Sequence, residues 1–294
     1  MDGAEMNLFL YLAVVLIWGT TWIAIAQQGT IDPPVAVFWR FLIASACIFV
    51  FLFVRKKLIK LDVKDHFFCV LQGACVFGFN FFCIYHAVTY INSGLESVIF
   101  SMAVLFNTIN SYLFFKQKIP LKFYFATLLG FLGMLALFWH DLIGTAFKPE
   151  TLKGIGLCML GTYGFSLGNM VSIRHQKNKL DILNTNAYAM FYGTLIMGSL
   201  AWVQHYNFLP HLTLGNQIAI LYLAIIGSVV GFTAYFSLIG RIGAGKSAYS
   251  TLLFPLVALT ISTFFEGYVW SISAVIGVVL ILCGNAVFFI KKRA

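Results

Sequence analysis

Long apolar stretches alternate with short polar ones along the whole chain, and ten of the stretches approach the roughly 20 residues that a helix needs to cross the hydrocarbon of a bilayer. They cover 8–26, 35–54, 67–88, 95–115, 121–139, 154–173, 186–204, 217–239, 247–265 and 271–290. Each is continuously apolar, unlike the short alternating strands of a membrane β-barrel, so helices are predicted throughout. Most connections run six to fifteen residues, too short for a soluble domain. Ala24-Ile25-Ala26 ahead of Gln27 looks like a signal-cleavage site, but the segment before the first stretch carries Asp2 and Glu5 and no basic residue, opposite to a secretory leader. The first stretch is therefore expected to be retained as a helix.

Composition supports this pattern. Of 294 residues, 61% are hydrophobic and 10% charged, with a mean hydropathy of +0.90, whereas soluble domains carry roughly 25% charged residues. A net charge of +9 would suggest an acidic partner such as nucleic acid in a soluble chain, but its placement points elsewhere. When loops are numbered alternately, Arg55 to Lys64, Lys116 to Lys122, Arg174 to Lys179, Arg241 with Lys246, and Lys291 to Arg293 all fall on one side. That side holds sixteen of the nineteen basic residues. The other side has Lys148 and Lys153, balanced by Asp141 and Glu150, and Arg40 lies within a stretch. By the positive-inside rule the basic side is cytoplasmic.

The expected fold class is an all-α membrane protein with ten transmembrane helices and both termini cytoplasmic, in a cell inner membrane or plasma membrane. Its expected partners are the bilayer and a small-molecule substrate, with no nucleic acid; monomer and homodimer both stay open. Cys47, Cys69, Cys75, Cys83, Cys158 and Cys283 all lie in apolar stretches without metal-ligand spacing and read as small core residues.

Two motifs lack the context their chemistry needs. Gly240-Arg241-Ile242-Gly243-Ala244-Gly245-Lys246-Ser247 has the phosphate-loop spacing, but it follows an apolar run, and Glu266, the only later acid, lies a membrane thickness away. It reads as a tight turn between two helices. Gly164-Phe165-Ser166-Leu167-Gly168 matches a nucleophile elbow, yet Ser166 is in mid-helix while Asp181 and His205 fall on opposite sides. Its small residues read as a helix-packing face. No catalytic, cofactor or metal residues are assigned, and no enzyme activity is expected.

The chain repeats itself. At an offset of 151, Gly94 meets Gly245, Leu105 meets Leu256, Phe114 meets Phe265, Ala126 meets Gly277 and Gly133 meets Gly284. Near the front, Trp18 meets Tyr163 at an offset of 145 and Ala44 meets Gly193 at 149. The repeated unit has five helices, and an odd number turns the second copy upside down. Two inverted halves, 8–139 and 154–290, suit a carrier that exposes a central site to either side in turn.

Trp18-Gly19-Thr20-Thr21-Trp22, Phe38-Trp39-Arg40-Phe41-Leu42, Tyr90-Ile91-Asn92-Ser93-Gly94-Leu95, and Phe254-Pro255-Leu256 with Phe265-Glu266 resemble, in order and spacing, the EamA-type members of the drug/metabolite transporter superfamily. The resemblance spans the chain as two repeats. It implies a secondary transporter or exporter of small metabolites, with a cavity lined by helices 1–4 and 6–9 and with helices 5 and 10 peripheral. The chain departs from the pattern at Val104 and Phe115, which stand where the second repeat has Pro255 and Glu266, and at the acidic Glu96.

Charges in hydrocarbon are costly, so those that remain carry a hypothesis. Arg40, His86 and Glu96 all fall one to two turns below the outer surface. Arg40 either grips a carboxylate or phosphate, or snorkels to the interface or pairs with Glu96. Glu96 either binds an amine or takes a coupling proton, tuned by His86. Ser101 and Asn107 belong to a polar sector of the fourth helix, with Glu96, Ser97, Thr108, Asn110 and Ser111, that must face protein or water. Trp18 with Tyr163, Trp39 with Tyr188, and Tyr85 with Phe236 occupy matching repeat positions, where rings suit partly apolar solutes or cations.

The expected function is outward transport of an amino-acid-like or amphipathic metabolite by alternating access, without a cofactor and with a proton as coupling ion. A drug or cation carrier and a nucleotide-type carrier are the alternatives within the superfamily, and a membrane enzyme or channel the alternatives outside it.

Overall fold

The computed structural model describes residues 3–119, 121–144 and 149–289, and among these the chain is helical with no strands. The helices are α1 (Gly3–Ala26), α2 (Pro33–Val54), α3 (Val63–Ala87), α4 (Ser93–Phe115), α5 (Leu121–Gly144), α6 (Pro149–Lys177), α7 (Ile182–Val203), α8 (Leu214–Ile242), α9 (Ala244–Phe265) and α10 (Ile272–Phe289). Six of them, α1 to α4, α8 and α9, are long and apolar enough to cross a membrane. Leu121–Leu137 of α5 and Ile272–Gly284 of α10 are shorter apolar segments. By length and composition these helices suit a bilayer.

Polar residues just outside the apolar stretches start the helices. Asn92 accepts from the Leu95 amide at 2.8 Å, Asp181 from the Asn184 amide at 2.9 Å, and Thr213 forms a reciprocal box with Asn216. Pro33 and Pro34 open α2, where their missing amides cost nothing. For this reason several helices begin a few residues before the hydrophobic pattern does.

Four interruptions were not visible in that pattern. Helix α3 widens to a π-helix over Gly73–Asn80 and α8 does the same over Leu223–Val230, 150 residues later. Helix α4 opens at Ser101 and Met102, and α9 at Ala248 and Tyr249. At these two openings serine and threonine hydroxyls turn back onto carbonyls three residues earlier: Ser97 on Gly94, Ser101 on Val98, Ser250 on Ser247 and Thr251 on Ala248.

The basic loops gather at one end of the bundle. There Asn184 bonds the Lys57 carbonyl and the Ile59 amide, Arg174 pairs with Asp65, Arg241 bonds Asn7, and the Lys177 ammonium lies 4.0 Å above the Phe115 ring. At the opposite end Trp39 donates to the Phe208 carbonyl, Asn216 to the Gln27 carbonyl and Lys153 to the Tyr90 hydroxyl. Lys148 and Lys291 to Arg293 lie outside the described residues.

Small residues set the closest helix contacts. A Cβ on Gly94 would stand 2.9 Å from Leu259, and one on Gly245 3.5 Å from Thr108, where α4 and α9 run side by side. Helices α5 and α10 pack chiefly on each other, with Gly133 against the Gly277 carbonyl and Gly284 against that of Ala126.

Candidate functional site

Between the π segments and the broken helices lies a narrow cavity of about 30 Å³, room for a water or two. Its walls are Trp18, Thr21, Trp22 and Ile25 of α1, Arg40 of α2, Asn80, Phe81 and Ile84 of α3, Phe100 of α4, Phe165 of α6, Phe232 of α8 and Phe254 of α9. The rings meet edge to face or tilted: Trp18 is 5.1 Å from Phe232 and 5.8 Å from Phe165, and Trp22 is 5.5 Å from Phe100. Several phenylalanines thus build the centre of the bundle.

Helix α8 brings its widened turn against α1 and α2. The Gly227 carbonyl there accepts from the Trp18 indole at 3.2 Å, and the Ser228 hydroxyl accepts from Arg40 Nε at 2.9 Å while donating to the Leu223 carbonyl. A Cβ at Gly227 would stand 2.9 Å from the Thr21 methyl, so glycine here lets α8 approach α1 closely, and it would keep an ordinary contact distance of 3.5 Å from Arg40 Nη2.

Arg40 is 2% exposed, and its guanidinium carbon sits 4.2 Å from the Phe81 ring centre. Nη1 makes one long bond of 3.5 Å to the Tyr85 hydroxyl, and no carboxylate among the described residues lies within ion-pair distance. Both structural alternatives for Arg40 are therefore overturned. It does not snorkel, because α3 and α8 enclose it, and it does not pair with Glu96, because the neutral Ser228 hydroxyl takes its Nε. Arg40 lines the cavity, held by the Ser228 hydroxyl and, at the longer distance, by Tyr85.

Two cavity-lining residues carry a buried polar group without a hydrogen-bond partner, the Trp22 indole N–H and the Asn80 side-chain carbonyl. Buried polar groups in proteins are nearly always satisfied, so an unpartnered donor and acceptor beside a buried cation that has no counter-ion are what a ligand would complete.

Glu96 is fully buried one turn beyond Phe100 on α4, and neither carboxyl oxygen has a hydrogen-bond partner. It does not line the cavity. Tyr85 stands within electrostatic reach of both Arg40 and Glu96. His86 turns away from this region: its Nδ1 bonds the Phe82 carbonyl of its own helix at 2.7 Å.

Of the other residues singled out from sequence, Trp18 lines the cavity. Asn107 joins a second polar cluster below it, donating to the Tyr235 hydroxyl at 3.3 Å and accepting from Asn169 at 3.1 Å. Asn110 bonds Ser166, the residue of the false elbow motif, at 3.0 Å. Ser101 borders a separate 110 Å³ pocket between α4, α5 and α9. Three aromatics lie away from the cavity. Tyr163 is 42% exposed and packs on Phe106, Tyr188 stands against Phe49 and His66 at the basic end, and Trp39 packs on Phe38 near the opposite end. The sequence signals for Trp22 and Asn80, one turn beyond Trp18 and one residue before Phe81, were too ordinary to separate them from packing residues.

Comparison with known proteins agrees with the architecture. The model of the EamA-like transporter family matches residues 6–139 and again 142–290. The chain is 24% identical to Protein PagO of Salmonella typhimurium over 94% of this chain and 90% of that protein. It is 22% identical to the uncharacterized transporter YoaV of Bacillus subtilis over 96% and 97% of the two chains. A solved crystal structure superposes with a TM-score of 0.74, covering 97% of this chain and 96% of that one at 14% identity, a likeness of fold. The chain belongs to the EamA-like transporter family, and it is a multi-pass membrane transporter rather than an enzyme.

Proposed function

We propose that the protein is an alternating-access exporter of small amino-acid-like or amphipathic metabolites, built from ten spanning helices in two inverted halves, 8–139 and 154–290, with both termini on the cytoplasmic side of an inner or plasma membrane. The gathering of the basic loops at one end supports the orientation. The inversion is supported by contacts that exchange under the 151-residue offset: Gly94 with Leu259 becomes Gly245 with Thr108, and Ala126 with Gly284 becomes Gly277 with Gly133.

The substrate class rests on one observation, the open polar groups around the ring-lined cavity. The Arg40 fork and the Trp22 N–H are donors suited to a carboxylate. The Asn80 carbonyl and the Phe81 face suit an ammonium group, and the remaining rings suit an apolar side chain. A single cation is few for a nucleotide or sugar phosphate, whose several charges call for several partners. A purely cationic solute would bring a second positive charge to Arg40, at a cost set by like-charge repulsion in a dry site.

The cavity is too small for such a solute as it stands, so loading requires the halves to part. Glu96, displaced from the cavity toward the end away from the basic loops, serves as the coupling group. A proton arriving there from outside exchanges against an outgoing solute. No resident cofactor is needed for this cycle.

The test is a thermal-shift screen of the purified protein against amino acids, polyamines, nucleosides and cationic drugs, with hits taken to counterflow in proteoliposomes. Amino acids with apolar side chains are expected to stabilise the protein and to exchange. Stabilisation by polyamines or nucleosides alone would refute the substrate class.

A further inference from the structure

The exposed end of α9 lies close to Glu96. Glu266, the residue following that helix, is exposed and borders an open pocket of about 290 Å³ at the end of the bundle opposite the basic loops. Its Oε2 accepts hydrogen bonds from Ser93 at 2.6 Å and from Ser262. Ser93 is itself 1% exposed and opens α4. Glu96 follows three residues later on the same face, about 5–6 Å away between Cβ atoms, with both oxygens unpartnered. An accessible carboxyl, a buried hydroxyl and a buried carboxyl thus stand in order from solvent to the centre.

We propose that Glu266 and Ser93 form the proton path to Glu96, with Glu266 as the group that exchanges with water. This rests on the assignment of Glu96 as the coupling group. In the transfer the Glu96 side chain, which makes no hydrogen bond in this structure, first rotates onto Ser93 Oγ; protonated Glu266 then gives its proton to Ser93 Oγ while the serine hydroxyl gives its own to Glu96. Glu266 loses one proton, Glu96 gains one, and the serine ends as it began. Among the described residues the other titratable groups facing Glu96 are Tyr85 of α3 and Cys158 of α6, whose thiol donates to the Glu96 backbone carbonyl at 3.5 Å. Helix α1 has no ionisable residue between 12 and 26, and α5 brings the apolar Leu137 to the pocket beside Glu266. Among these groups only Glu266 is exposed to exchange directly with water. The path also joins the halves, since Ser93 and Glu96 belong to the first and Glu266 to the second. A movement that parts α4 from α9 at this end breaks the Ser93–Glu266 bond and so cuts the supply of protons.

Proton exchange can be followed without a known substrate. The full-length protein in lipid nanodiscs is moved into D2O over a series of pH values and watched by infrared spectroscopy. The carboxylic-acid band of Glu96, identified by its loss in Glu96→Gln, shifts as deuterium enters. Glu266→Gln, which can still accept from Ser93 but cannot carry a proton, and Ser93→Ala are both expected to slow the exchange about tenfold or more, while Glu266→Asp stays close to wild type. Unchanged exchange in both Glu266→Gln and Ser93→Ala would overturn the path and leave Glu96 as the coupling group. Absence of any Glu96 acid band at every pH would overturn the coupling role itself, and the path with it.

Discussion

The third helix of the first half widens over Gly73–Asn80 and that of the second over Leu223–Val230, and both fourth helices open near hydroxyl residues. Against this shared framework the side chains differ. The first half supplies the buried arginine and carboxyl of the centre, Arg40 and Glu96, and the second half has Ala189 and Ser247 at the matching offsets of 149 and 151. In return the second half supplies neutral partners: the Ser228 hydroxyl on Arg40, the Gly227 carbonyl on Trp18, and the rings of Phe232 and Phe254. A near-symmetric frame lets two conformations be alike in energy, while an asymmetric lining gives the solute one preferred orientation.

The sharpest way to break this division of labour is at Arg40. Arg40→Gln is expected to lower solute binding about 10- to 100-fold, the scale of losing hydrogen bonds to a charged group. Arg40→Lys should not restore it, because an ammonium lacks the planar fork that reaches both Ser228 and a carboxylate. Calorimetric titration of the purified variants with a screening hit checks both.

A smaller effect is expected at Gly73, where α3 meets α7 at backbone distance: an added Cβ would stand 2.4 Å from the Ala189 carbonyl. The second half carries Leu223 at the corresponding position, so this approach is peculiar to the first. Gly73→Ala should destabilise the fold by about 1–3 kcal/mol, seen as a lower melting temperature. Gly130→Ala, which meets nothing within 4 Å, should be neutral or slightly stabilising.

Least is expected at Tyr235, whose hydroxyl accepts from both Asn107 and Asn169. Tyr235→Phe leaves those amides short of an acceptor and should cost about 1–2 kcal/mol in thermal stability, with solute affinity unchanged because the cluster lies below the cavity.

The helices themselves were legible in the sequence because lipid demands unbroken apolar length. Arg40 and Glu96 were legible for the converse reason, the expense of charge in such surroundings. The π segment of α8 was not, since the bonds made by its turned-out groups, Trp18 to Gly227 and Arg40 to Ser228, span more than 180 residues. Tyr163 stands away from the cavity for a geometric reason. The α6 residue that takes the cavity face is Phe165, two positions later, and two residues turn about 200° around a helix. Trp22 and Asn80 escaped notice because an indole or an amide is informative only once its hydrogen bonds can be counted.

The central claim, that Arg40 meets a solute carboxylate inside a ring-lined cavity of a carrier, is tested most directly by counterflow with three compounds sharing one ring: phenylalanine, 3-phenylpropionate and phenethylamine. In proteoliposomes, phenylalanine and 3-phenylpropionate should compete with a labelled screening hit while phenethylamine competes weakly, and Arg40→Gln should erase the difference. Competition by phenethylamine equal to that of phenylalanine, unaltered in Arg40→Gln, would contradict the account.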